Sequence, residues 1–321
     1  MDAELDDSLI YEEVRAGILT WFDRHQRELP WRRTRDPYRV LVSEIMLQQT
    51  QVDRVVPYYE QFLAEFPTVE ALASAQTADV IRFWSGLGYN RRAVNLQRAA
   101  KHIVNQFGGV FPCSVAEMLE LPGVGPYTAG AVACFAFEQD VSFLDTNMRR
   151  VVERVFLGVI GSAAVKPAQT EAIADRLVPE SDGWRWNQAL IEFGALQCTS
   201  RKPLCVVCPV QQHCRAFPFV QQPDSSAERV VARTRAERFE GSNRYFRGRI
   251  IETLRKLSDH ERGVTLTDLG RTLRIDFDDS HIPWLTGVVK GLERDGLAII
   301  AEAEDSYDAD STNSAPLIRL P

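Results

Sequence analysis

Four of the six cysteines fall within seventeen residues as Cys198, Cys205, Cys208 and Cys214, a C-x6-C-x2-C-x5-C run. Four thiolates on one short loop repel one another unless a cation holds them, and soft sulfur ligands select zinc or an iron-sulfur cluster. Structural zinc sites usually pair their ligands as two C-x-x-C knuckles; here only Cys205 and Cys208 form one, so the spacing favours iron-sulfur. A disulfide framework would suit a small secreted domain, but the chain shows neither a signal peptide nor an apolar run long enough to span a bilayer. A redox dithiol at Cys205 and Cys208 leaves the other two cysteines without a purpose. Cys113 and Cys134 stand in or beside apolar helical pattern and read as small buried hydrophobes.

The 321 residues, 45% of them hydrophobic, bury a substantial core and suggest two or three domains of an intracellular, cytoplasmic protein. A net charge of −7 argues at first against a nucleic-acid partner. The acids, however, gather at the ends: residues 1–30 carry eight acids and three bases, and residues 301–321 five and one. The body of the chain keeps 31 acids and 33 bases, a balance that can face phosphate.

To about residue 217 nearly every segment has helical period, so the main lobe is expected to be all-α. Helices are expected near 9–26, from Asp36-Pro37 through Val52, and over 58–65, 68–75, 78–85, 91–107 and 147–155. Ser114, followed three residues later by Glu117, opens another with a capping-box pattern. That helix leads into Leu121-Pro122-Gly123-Val124-Gly125-Pro126, where two glycines allow a tight hairpin and Pro126 can open the next helix. Gly123, Val124 and Gly125 would present bare backbone N–H groups at a helix N-terminus, which suits a strand phosphate; an ordinary helix-helix connection is the alternative.

Two carboxylates weigh on that choice. Asp145, in Leu144-Asp145-Thr146-Asn147, either caps the helix that follows or carries chemistry. Glu44 interrupts an apolar helix face and is either solvated or an acid of raised pKa facing a pocket. The uncharged Gln48-Gln49-Thr50 that follows offers donors and acceptors suited to base edges.

Taken in order, Asp36 to Thr50, the Gly86-Leu87-Gly88-Tyr89 turn, the glycine hairpin, Asp145 and the cysteine run resemble the helix-hairpin-helix DNA glycosylases, and among these the MutY-type adenine DNA glycosylases, over about residues 8–217. The resemblance implies a mainly α fold of two helical lobes, a 4Fe-4S cluster on the four cysteines as a rigid support, and double-stranded DNA with its target nucleotide flipped out. It implies that Glu44 protonates the leaving adenine and that Asp145 stabilises or transiently bonds the sugar cation, with Asn147 hydrogen-bonding Asp145. Trp31 and Arg32 correspond to residues lining the adenine pocket. Gln48 and Tyr89 correspond to residues that wedge into the duplex beside the opposite base, and Gln49, Thr50 and Leu87 stand with them as DNA contacts. Tyr127 occupies the position where endonuclease III-type relatives have a lysine; a phenol forms no Schiff base, so an intact abasic site is expected. Asn90 departs from the second tyrosine often found there.

By the same resemblance, residues 1–32 and 137–220 form a lobe holding the cluster, and residues 33–136 form a six-helix module with the hairpin. A polar linker over 221–238 precedes a distinct segment, 239–321. There the Nudix-like domain of the best-known relatives is missing. Three helical segments and a strand pair read instead as a small winged-helix-like α+β domain. Its expected wing carries Glu302, Glu304, Asp305, Asp308 and Asp310, which repel phosphate, so DNA contact is expected at most through the first helix, where Arg244, Arg247, Arg249, Arg255 and Lys256 are either DNA contacts or a solvated helix face. A protein partner is the other use of this domain. The chain is expected to act as a monomer near the nucleoid of a bacterial or archaeal cell, excising adenine opposite 8-oxoguanine or guanine. A thymine or uracil mismatch glycosylase, or a DNA-binding protein without catalysis, are the alternatives.

Overall fold

A computed structural model describes residues 2–160, 165–220, 239–257, 262–301 and 315–321. The expected linker and the acids of the expected wing lie outside the described residues. In chain order the helices are α1 (Asp2–His25), α2 (Pro37–Leu47), α3 (Val52–Glu65), α4 (Val69–Ser74), α5 (Thr77–Phe83), α6 (Arg91–Phe107), α7 (Val115–Met118), α8 (Pro126–Phe137), α9 (Thr146–Leu157), α10 (Pro167–Leu177), α11 (Gly183–Leu196), α12 (Phe217–Val220), α13 (Asn243–Arg255), α14 (Leu266–Leu273) and α15 (Ile282–Arg294). The strands β1 (Val264–Thr265), β2 (Ile299–Ala301) and β3 (Leu317–Arg319) all lie near the C-terminus. No helix among the described residues is long and apolar enough to cross a membrane.

The described residues gather into two units, one from Met1–Glu44, Pro112–Glu120 and Val124–Ala232, the other from Ile45–Phe111, Leu121–Gly123 and Arg233–Pro321. In the first unit α8 is apolar all round, as a helix buried on every side must be, and its residues from Thr128 to Phe135 are buried. α11 packs on α1 and α9, with Trp21 edge-on to Phe193 at 5.1 Å. Gly194 is required where α11 meets the start of α9: a Cβ there would stand 2.8 Å from the Asn147 carbonyl oxygen. Pro126 stands in the first turn of α8 and Ser114 caps α7, accepting the Glu117 N–H at 3.2 Å. The Glu117 carboxylate accepts from the Ser114 hydroxyl at 2.6 Å, rather than from the backbone N–H that a capping box uses.

Two sequence expectations change here. The helix from Asp36-Pro37 stops at Leu47, because Gln49 turns left-handed at φ 56° and the Arg92 guanidinium collects the last carbonyls of α2, bonding Ile45 O at 2.9 Å and Met46 O at 2.8 Å. Cys113 is exposed rather than buried, since it lies in the extended stretch before the Ser114 cap; Cys134, inside α8, is buried.

In the second unit α6 carries the packing of α4 and α5. Buried Gln97 satisfies the α4–α5 junction, donating to Ala75 O at 2.8 Å and accepting from the Thr77 hydroxyl at 2.8 Å. The C-terminal segment supplies α13, α14 and α15 and a three-stranded antiparallel sheet of order β1-β3-β2, with Val264 facing Ile318 and Ile300 facing Ile318 from the other side. Its core, including Ile250, Leu254, Leu285 and Leu292, is continuous with Ile81 of α5 and Val94 of α6. Arg255 of α13 reaches across to Ile81 O at 3.0 Å and Asn90 Oδ1 at 2.9 Å. The first helix of this module is therefore a docking face, and Arg255 is consumed by it.

Candidate active site

Glu44 sits near the end of α2 with 5% of its surface exposed. Burial pushes its carboxyl up to about 7; the charge of Asp145 adds to the rise, while a hydrogen bond from Tyr127 and the charge of Arg32 oppose it. Tyr127 stands on the first turn of α8, its ring edge-on to Phe143 at 5.4 Å. Its hydroxyl is enclosed beside Glu44, and burial together with the neighbouring carboxylates moves its pKa well above the ordinary value. Gly130 keeps that wall close, because a Cβ would stand 2.7 Å from Phe143 Cβ.

Asp145 is the N-cap of α9, so the capping reading holds, and it also sets the orientation of the carboxylate. Oδ1 accepts the N–H groups of Asn147 at 2.8 Å and Met148 at 2.7 Å, and Oδ2 accepts Asn147 Nδ2 at 2.9 Å. Three donors and the positive end of the helix complement a negative charge at this point. Glu44, Tyr127 and Asp145 thus share one electrostatic neighbourhood, with Arg32 beside them.

Arg32 is immobilised by partners that the sequence reading passed over. It donates to Gln188 Oε1 at 2.8 Å, Arg27 O at 2.8 Å and Glu192 Oε2 at 2.9 Å. Glu192 is fully buried and also takes Arg27 Nε at 2.8 Å. Neighbouring Trp31 is buried as well, at 7% exposure. The signal was present: Asn187, Gln188 and Glu192 interrupt the apolar face of α11 as Glu44 interrupts that of α2.

The cysteine loop follows α11. Cys198, Cys205, Cys208 and Cys214 line one small apolar cavity with Val155, Phe193 and Leu204. Among the described residues no three acidic, histidine or thiol side chains are grouped closely enough to hold a single metal ion. Arg154 lies 3.4 Å from Cys198 Sγ and donates to Thr199 O at 2.7 Å, so a guanidinium offsets thiolate charge. Arg150 ties this loop to the carboxylate site, bonding Cys198 O and Asn147 Oδ1, each at 2.9 Å. Four thiols, an apolar wall and a nearby cation fit an iron-sulfur cluster.

Comparison with known proteins agrees with this geometry. Residues 42–180 match the HhH-GPD superfamily of base excision DNA repair proteins, and residues 198–214 match the iron-sulfur binding domain of endonuclease III. The adenine DNA glycosylase of Mycolicibacterium smegmatis is 42% identical over 74% of this chain and 79% of its own length. The chain belongs to the adenine DNA glycosylase family. The human adenine DNA glycosylase is 43% identical over 65% of this chain, which spans only 40% of the human protein. Among solved structures, a thermostable thymine-DNA glycosylase aligns with a TM-score of 0.61 at 31% identity over 65% of this chain and 97% of its own. An endonuclease III trapped on DNA shares the fold, with a TM-score of 0.59 at 21% identity over 67% of this chain and 99% of its own. The protein is a DNA N-glycosylase with a 4Fe-4S cluster, and it binds DNA.

The remaining residues singled out in the sequence of this glycosylase lie in the second unit or at the hairpin. Arg92 holds the two loops expected to meet DNA, donating to Gln48 O at 2.6 Å, Thr50 Oγ1 at 3.1 Å and Leu87 O at 3.2 Å. Gln49 and Tyr89 are exposed, Gln48 and Thr50 half-buried, and Leu87 is buried. Gly123 has φ 82° and packs on Asn95, where a Cβ would stand 2.7 Å from Asn95 Cβ; Val124 is buried and Gly125 caps α8.

Proposed function

We propose that this glycosylase releases adenine mispaired with 8-oxoguanine or guanine in double-stranded DNA and leaves an intact abasic site, as the first step of base excision repair. The observation that carries the reading is Glu44: a buried acid whose pKa near 7 keeps much of it protonated at neutral pH. A purine leaves more readily once a ring nitrogen is protonated. The proton passes from Glu44 to the adenine ring, the glycosidic electron pair leaves with the base, and the sugar becomes an oxocarbenium ion. Asp145, held by the α9 N-terminus, stabilises or transiently bonds C1′. Water then supplies the C1′ hydroxyl and a proton that restores Glu44. Tyr127 orients Glu44 and offers no amine for a Schiff base, so the strand is not cut.

Trp31 and the immobilised Arg32 line the adenine pocket, and Gly123, Val124 and Gly125 present N–H groups to a phosphate. Cys198, Cys205, Cys208 and Cys214 ligate the cluster, which stiffens the loop that Arg150 joins to Asn147. The cluster-bearing lobe, the six-helix module and the C-terminal module act as one monomer near the nucleoid. Thymine or uracil mispaired with guanine is the second reading, favoured by the likeness to the thymine-DNA glycosylase structure. Single-turnover assays on adenine opposite 8-oxoguanine, guanine and cytosine, and on thymine or uracil opposite guanine, separate the two. Adenine release, with nicks seen only after alkali, supports the proposal; pyrimidine release with inert adenine duplexes refutes it.

A further inference from the structure

The turn between α5 and α6 is held from two sides, and the outer hold comes from the C-terminal module. Arg255 of α13, its side chain only 10% exposed, sets one guanidinium on both feet of this turn. Its Nε donates to Ile81 O at 3.0 Å, a carbonyl of the last turn of α5, and its Nη2 donates to Asn90 Oδ1 at 2.9 Å, where α6 begins. The cation also complements the negative end of α5. Asn90 occupies the N-cap position of α6, where an asparagine oxygen usually accepts a backbone N–H of the first turn. No such cap bond forms here, and the oxygen is taken by Arg255 instead.

Between these feet every carbonyl from Gly86 to Gly88 is bound by a side chain. Arg54 donates to Gly86 O, Arg92 to Leu87 O at 3.2 Å, and Trp84 Nε1 to Gly88 O at 3.1 Å. Gly86 is fixed in kind as well, because a Cβ there would overlap the Tyr58 hydroxyl. Tyr89, at the tip, is 42% exposed and left-handed at φ 46°, a conformation that a bulky residue keeps only where its surroundings impose it. The turn thus has a fixed base and a projecting aromatic tip. Docking of the module does not depend on Arg255: Ala78 N donates to Pro321 O at 2.9 Å, Arg91 lies 3.5 Å from Asp295, and Ile81 and Val94 enter the module core. Arg255 adds to that docking a hold on the turn itself.

We propose that Arg255 is a positioning residue for DNA engagement: by clamping the feet of the Gly86–Tyr89 turn, it aims Tyr89 at the gap that opens when the target nucleotide leaves the stack. The inference rests on the proposed function, in which a nucleotide is extruded and an inserted side chain offsets the lost stacking. Arg255 acts only through Asn90 and the turn, so its effect is the same whatever base faces the gap. The C-terminal module thereby stiffens a DNA-facing element of the six-helix module from behind.

Binding of the full chain to duplexes carrying a tetrahydrofuran abasic analogue opposite 8-oxoguanine, guanine or cytosine, and to a fully paired duplex, tests this for Arg255→Ala, Asn90→Ala and the double variant. Each single variant should lose about tenfold opposite all three bases, the worth of one charge-assisted hydrogen bond, and little on the paired duplex, which has no gap to enter. The double variant should lose no more than either alone, because both substitutions break one link. Losses that multiply show that Arg255 does not act through Asn90 and overturn the proposal, as do an equal loss on the paired duplex, a loss confined to one opposite base, or no loss in a folded variant. Asn90→Ala leaves the bond to Ile81 O and the module core in place, so it decides the question where Arg255→Ala fails to fold. Because binding is read without excision, a wild-type protein that releases no adenine refutes the proposed function while this comparison still decides the role of Arg255.

Discussion

Glu44 in α2 and Glu192 in α11 are both glutamates set into apolar helix faces, both buried, and they have opposite electrostatic fates. For Glu192 burial alone would raise the pKa, but hydrogen bonds from Arg27 and the charge and single hydrogen bond of Arg32 outweigh it and lower the pKa. Glu44 has one phenol and the charge of Arg32 to oppose its burial, burial wins, and its pKa rises to about 7. A buried acid with two forked cations is a structural tie. A buried acid left with one weak partner keeps a proton to give.

The comparison breaks most sharply through activity. Glu44→Gln keeps the shape and removes the proton, so single-turnover excision should fall by about 10² to 10⁴-fold with folding intact. Glu192→Gln should act on stability instead: Arg27 and Arg32 lose their counter-charge, and thermal or urea unfolding should register a loss of about 3–5 kcal/mol. Near-wild-type stability of that variant would mean that the two glutamates are not opposites.

Stability against pH sharpens the contrast. The folded-state pKa of Glu44 is raised from 4.5 to about 7, so ionising it opposes folding. That penalty is absent below the unfolded value, grows as pH rises between the two, and is complete above about 7. At about 1.4 kcal/mol per unit it amounts to about 3 kcal/mol. Glu44→Gln should therefore be more stable than wild type at pH 8 and indistinguishable at pH 4.5, by urea unfolding. Glu192→Gln should show no such gain at pH 8. The smallest effect is expected at Arg150→Ala, which cuts the tie between Cys198 O and Asn147 Oδ1 and should slow excision about tenfold, as loss of an outer-shell partner does.

Features with local causes were legible in the sequence. The cysteine spacing, the amphipathic α6 at Arg91–Phe107, the Gly123–Pro126 hairpin and the cap at Asp145 are each written in a few adjacent residues. Features caused from afar were not. The break after Leu47 depends on a guanidinium at position 92, and the burial of Arg32 depends on Glu192 and Gln188. Asn187, Gln188 and Glu192 repeat the pattern that drew attention to Glu44, but sequence cannot say which polar residue on an apolar face has a buried partner. The C-terminal helices were legible as helices; that α13 faces α5 through Arg255, and places Arg244 against Tyr89, was not.

The central claim is that Glu44 delivers its own proton to the leaving base, and the single-turnover rate of adenine excision against pH, for wild type and Glu44→Gln, tests it most directly. Wild type should lose rate about tenfold per pH unit above about 7. Glu44→Gln should be slow and flat through that range. A variant that keeps the wild-type rate, or that keeps the same alkaline limb, would place the proton donor elsewhere and contradict the account.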